Sequence, residues 1–162
     1  MNDGILLTDA RERWKSIISG KGGNCPCCDR YGKIYCYGIT GSMVHSLFRF
    51  LHLCAESKYN DGDGWVIISA AKDIYLQRYR AHSKLKWFEF LEQDKGQWRI
   101  TNTGLSFLKG FPAPRKVFVY DDKVLGFSKD TMTASEARGR TFDYQKLMED
   151  SYEDWRTYRD IA

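Results

Sequence analysis

Four of the five cysteines in this chain of 162 residues fall in one short stretch, NCPCCDRYGKIYC, from Asn24 to Cys36. Cys25 and Cys28 have the two-residue gap that lets a single turn present two sulfurs to a tetrahedral zinc ion. Cys36, beyond a turn, is the third ligand in that reading. The fourth must come from Cys27, His45, His52 or another chain. His45 suits the role best, because it begins a helix expected beside the knuckle. Its plainer reading is a solvent-facing residue on a polar stripe. No second Cys-x-x-Cys completes a zinc ribbon, so zinc would act here as a structural clip. The rival chemistry is a redox dithiol, which gains from a helix starting directly after the first cysteine. A Gly-containing turn and a strand follow instead. Cys54 lies on an apolar helix face and reads as core.

The second chemistry is recognition of a polyanion. From Ala70 to Lys116 ten basic residues stand against four acids, a balance of +6, while the chain as a whole carries +4. A basic middle beside an acidic tail fits a polyanionic partner, and it fits an ordinary solvated face as well. His82, Ser83, Lys84 and Lys86 lie near the start of an expected helix, where exposed side chains read base edges in a major groove. Arg78 and Arg80, just before it, are placed to neutralise phosphates. Lys95, Gln97 and Arg99, on an expected hairpin, are placed to grip the flanking backbone. Six such cations on phosphates would give log K against log salt a slope of roughly −5. Trp87 and Phe90 crowd the same helix and offer the alternative of a protein contact.

Catalytic patterns are missing. The chain has no Gly-x-Ser-x-Gly elbow and three histidines in all. SGKGG at Ser19–Gly23 lacks the earlier Gly and the Ser or Thr after lysine that a phosphate loop requires. Asp61 and Asp63 start no calcium loop, since the sixth and twelfth positions from Asp61 are Val66 and Lys72. The acidic run Glu149, Asp150, Glu153 and Asp154 reads as a solvated helix face, or as a nucleic-acid mimic in an inhibitor. The chain is expected not to be an enzyme.

These groups need a scaffold, and a hydrophobic content of 43% is enough for a real core. Thr8 is expected to cap a first helix that Gly20, Gly22 and Gly23 stop. A strand follows at Lys33–Tyr37, with Lys33, Tyr35 and Tyr37 on one side. The most apolar helix runs from Met43 to about Lys58. The turn YNDGDG leads to a strand at Trp65–Ile68. Ser69 then caps a short helix from Ala70 to about Leu76, and a second helix spans about Ala81 to Glu92. A hairpin turns at Asp94-Lys95-Gly96, and Thr101 or Asn102 caps the helical segment that follows it. Beyond Pro112 and Pro114 come a hairpin around Asp121-Asp122-Lys123, a capping box of Thr133 with Glu136, and an amphipathic helix from about Tyr144 to Tyr158. The expected organisation is an N-terminal helix and cysteine knuckle at 1–40, a helical core with hairpin at 41–111, and a C-terminal hairpin and helix at 112–162.

The order from Ser42 to Gly110 is helix, strand, helix, helix, strand, strand, helix. LKWFEFLEQDKGQWRITNTGLSFLKG, with Ile100-Thr101 and then Gly104, resembles the recognition-helix end, wing and following helix of MarR-, PadR- and ArsR-type regulators. The resemblance covers some seventy residues and implies an α+β fold with a winged helix-turn-helix core. The whole chain also resembles a set of small uncharacterised phage and prophage proteins. The matching residues are Cys25-Pro26-Cys27-Cys28, Met43, Trp98 to Phe107, and Phe142-Asp143-Tyr144 with Leu147-Met148. That likeness implies a phage-type protein and brings no activity with it. The expected partner is double-stranded DNA, in a regulatory role. The alternative is a host protein, such as a defence factor, that the chain binds and inhibits. The sequence leaves the oligomeric state open, with a homodimer among the options. No apolar run reaches the roughly 20 residues that span a bilayer. The odd cysteine count and the absence of a signal-like start point to the cytoplasm of a bacterial host.

Overall fold

A computed structural model of the chain describes residues 4–55, 64–71, 73, 76 and 80–139. Arg78, most of the YNDGDG turn, the acidic run and the expected C-terminal helix lie outside them. The fold is α+β.

Helix α1, Leu7–Ser19, leads into strands β1, Gly23–Asn24, and β2, Tyr31–Gly32, which pair antiparallel and carry the cysteine turn between them. Thr8 does not cap α1. The helix starts two residues earlier, with Leu6 at the N-cap position, and has no side-chain cap. Its glycine stop is as expected: Gly22 takes a positive φ of 82° and donates its N–H to the Ile17 carbonyl at 3.1 Å. The small hairpin packs on α1 at two other glycines. A Cβ on Gly32 would come within 2.6 Å of the Trp14 ring, and one on Gly23 within 2.9 Å of Ile17.

Helix α2, Gly41–Ala55, is the centre of the core. Met43, Val44, Leu47, Phe48, Phe50 and Leu51 are all buried along it, so the helix is wrapped on most sides. Helix α3, Ile68–Ala71, begins where the last residue of a strand was expected. Only Val66 of that strand pairs, as an isolated bridge that exchanges two backbone hydrogen bonds of 2.8 Å with Trp98.

Helix α4 is His82–Trp87, followed by strands β4, Leu91–Asp94, and β5, Gln97–Ile100. The helix expected to reach Glu92 therefore ends five residues early. Glu89 takes a left-handed φ of 63°, and Phe90 donates back to the Leu85 carbonyl, a C-terminal wrap that stops the helix. Leu91 is buried as expected, but from a strand, opposite Ile100. The β4–β5 turn places Lys95 and Gly96 at φ of 46° and 81°, the two left-handed positions of a tight hairpin.

Helix α5, Asn102–Leu108, opens on Thr101, whose hydroxyl accepts the Gly104 N–H at 3.1 Å and donates to the Glu89 carbonyl. A Cβ on Gly104 would run into the Phe90 carbonyl, so glycine is required for α5 to close on the wrap after α4. Strands β6, Ala113–Pro114, and β9, Thr131–Met132, form a two-residue pair. Between them β7, Lys116–Tyr120, and β8, Lys123–Phe127, make the expected hairpin, with Asp121 and Asp122 both at positive φ. Helix α6, Ala134–Arg138, carries the expected capping box of Thr133 and Glu136.

Strand β3, Tyr35–Gly38, pairs antiparallel with β7 rather than with its neighbours in sequence. Tyr35 faces Val119 and Tyr37 faces Val117. Both valines are buried and carry their part of this side into the core, while Tyr35, on the edge strand of the β3-β7-β8 sheet, stays 45% exposed and Tyr37 is half-buried. Cys36, opposite Phe118, is exposed on the other side. No helix among the described residues is long and apolar enough to cross a membrane.

Candidate functional site

The cysteine turn is closed by two backbone hydrogen bonds, Cys25 N–H to the Arg30 carbonyl and Asp29 N–H to the Cys25 carbonyl, each 2.9 Å. Asp29 takes a left-handed φ of 58° and accepts from the Asn24 side chain at 3.1 Å. Inside this turn the Cys25 sulfur receives the backbone N–H groups of Cys27 and Cys28, which holds its pKa below the usual thiol value. The turn thus places Cys25, with its lowered pKa, in one turn with Cys27 and Cys28. It does not gather a larger ligand set: among the described residues no three His, Cys, Asp or Glu side chains group as a metal site.

Cys36, the third ligand of the sequence reading, does not join Cys25 and Cys28 in a group of three among the described residues. Cys36 belongs to β3, in a different sheet from the β1–β2 hairpin. The hairpin packs on α1 through Gly23 and Gly32, and His45 lies on α2. Burial and the neighbouring charges of Arg138 and Arg49 lower the His45 pKa, and Asp73 opposes them weakly. Cys54 is core as expected, its thiol pushed up to about 11 by burial.

The cations expected to meet nucleic acid are distributed over α4 and the β4–β5 hairpin. Ser83, Lys84 and Lys86 are exposed on α4, Arg80 is exposed just before it, and Lys95 is exposed at the hairpin tip. Lys86 donates to the Gln93 side chain at 3.3 Å, which ties helix to hairpin. Gln97 is half-buried. Arg99 is paired with Glu92 at 2.7 Å and lies 4.4 Å from the Trp65 ring centre, so its charge is largely spent within the fold. His82 turns inward. Its ring meets Trp98 edge-on at 4.8 Å, and its Nδ1 is buried with no partner among the described residues. Burial, then Arg80, lowers its pKa.

The two aromatic residues offered for protein contact are both occupied. Phe90 is 1% exposed and stacks on Phe107 at 4.6 Å, so it is a core residue, and the expectation that it faces a partner is corrected. Trp87 is half-buried, stacks on Tyr37 at 5.0 Å and donates its indole N–H to Asp122 at 3.1 Å. It rivets α4 to the β7–β8 turn.

Sequence reasoning noted that Lys33, Tyr35 and Tyr37 share a strand face but assigned them no role. In the structure that face continues onto α4: Tyr35 stacks on Tyr37 at 6.0 Å, and Lys84 lies 5.2 Å from the Tyr37 ring centre. The alternation of basic and aromatic residues at every second position was the available signal. Set against known proteins, the chain matches no family model, no curated protein and no solved structure.

Proposed function

We propose that this chain is a phage-type, regulatory winged-helix protein that binds double-stranded DNA through α4 and the β4–β5 hairpin. The observation that carries the reading is the pairing of Val66 with Trp98. It joins the segment between α2 and α3 to the inner hairpin strand, which is the strand arrangement a winged helix requires. Around that frame Lys84 and Lys86 are exposed on the helix in the recognition position, and Lys95 is exposed at the wing tip. Lysines so placed meet phosphates on both sides of one groove. The alternative, a phage accessory protein that binds a host factor, is less favoured. It loses Phe90 to the core, and Trp87 is held by Tyr37 and Asp122.

Fluorescence anisotropy with labelled duplexes at low salt tests the proposal. The protein should bind, and Lys84→Ala with Lys86→Ala should weaken binding about ten-fold or more, in line with the strong dependence of affinity on phosphate contacts. No measurable affinity for any duplex at low salt refutes it.

A further inference from the structure

We infer that the strip of Tyr31, Lys33, Tyr35, Tyr37 and Lys84 binds single-stranded nucleic acid, with bases stacked on the exposed rings of Tyr31 and Tyr35, Tyr37 backing Tyr35, and phosphates held by the lysines. This goes beyond the duplex reading, and only Lys84 is common to both.

The strip is continuous. Tyr35, Tyr37 and Trp87 form a run of stacked rings with centres 6.0 Å and 5.0 Å apart. Lysines flank the run, Lys33 at 5.7 Å from the Tyr35 ring centre and Lys84 at 5.2 Å from that of Tyr37. Tyr31 and Tyr35 are 57% and 45% exposed, so ring surface is available at the open end. Beside them lies a cleft of about 160 Å³, lined by Tyr31, Tyr35 and Tyr120 with Arg30, Lys33 and Asp121 supplying charge. Pockets for drug-sized ligands run to roughly 300–1,000 Å³, so this cleft suits one ring system rather than a whole cofactor.

The chemistry selects the occupant. A duplex offers base edges in its grooves and keeps base faces stacked inside, whereas a single strand offers the faces themselves. Exposed tyrosine faces between lysines match a strand that supplies a base and then a phosphate. Asp121, the acid that lines the cleft, is paired with Arg30 at 3.0 Å. A protein partner fits less well, because lysine is depleted where proteins bury aromatic contacts.

The test is anisotropy of the full chain with a labelled oligothymidylate and a labelled duplex of equal length. Tyr31→Ala with Tyr35→Ala should weaken single-strand binding about ten-fold or more and leave duplex binding unchanged. Tyr35→Phe keeps the ring and should bind as the original does. Lys86→Ala with Lys95→Ala should lose duplex affinity and keep the single strand, so failure of one reading is distinguishable from failure of the other. Because Tyr31 and Tyr35 are exposed, the circular dichroism of the variants should match the original. The inference is overturned by no single-strand binding at low salt, by unchanged binding in the double tyrosine variant, or by equal loss in Tyr35→Phe. Sedimentation that shows a dimer dissolved by Tyr35→Ala, with no strand affinity, overturns it too and assigns the strip to a second copy.

Discussion

Replacing Phe90 by alanine separates a core role for this ring from a partner-binding one. The ring is 1% exposed, lies between Phe88 at 5.6 Å and Phe107 at 4.6 Å, and is nearly parallel to both. Truncating a phenylalanine buried this fully costs about 3–5 kcal/mol, and loss of two offset stacks puts this site in the upper half of that range. About 4 kcal/mol is a large share of the roughly 5–15 kcal/mol that holds a domain folded. The melting temperature should fall by about 8–16 °C for a chain of this size. Urea unfolding followed by tryptophan fluorescence measures the change directly. Trp87→Ala is the control: half-buried, it gives up one stack and one exposed hydrogen bond and should cost about 1–2 kcal/mol. A loss below about 1.5 kcal/mol for Phe90→Ala at unchanged m-value, or a larger loss for Trp87→Ala, would refute the packing described between α4, β4 and α5.

Acid should destabilise the fold. His45 and His82 have folded pKa values below the ordinary 6.5, so the unfolded chain binds more protons. Stability is therefore complete above about pH 6.5 and falls as pH drops toward the folded values. His82→Gln should flatten the urea midpoint between pH 7.5 and 5. Iodoacetamide at neutral pH should modify Cys25 first and native Cys54 last, with peptide mass mapping as the readout. Zinc held by the cysteine turn is a proposal that metal analysis decides, and less than about half an equivalent per chain refutes it. If Arg80, Lys84, Lys86 and Lys95, all exposed, each meet one phosphate, duplex binding should show a salt slope of about −3.6. A slope shallower than about −2 would remove most of those contacts.

The elements legible in the sequence are those set by local chemistry. Gly96 and Asp121-Asp122 mark their turns because glycine and short polar residues tolerate positive φ. Thr101 and the Thr133–Glu136 pair mark helix starts because their side chains satisfy backbone N–H groups locally. What escaped depends on distant partners. Leu85, Phe88 and Leu91 keep helical spacing past the true end of α4, and only the pairing of Leu91 with Ile100 and the contact of Gly104 with the Phe90 carbonyl decide otherwise. Cys36 reads as a ligand from its spacing to Cys28. Its strand is claimed by β7, about eighty positions on, a pairing that no local spacing signals.

That claim has a consequence for synthesis. At roughly 5–20 residues per second, a ribosome needs about 4 to 17 s to travel from Tyr35 to its partner Val119. Throughout that interval the backbone of β3 has no strand to pair with, and its tyrosines have no sheet behind them. The nascent chain must therefore pass through a stage with an open aromatic edge beside the cysteine turn, the kind of edge that recruits strands from other chains. A fragment ending before Lys116 would be held at that stage permanently.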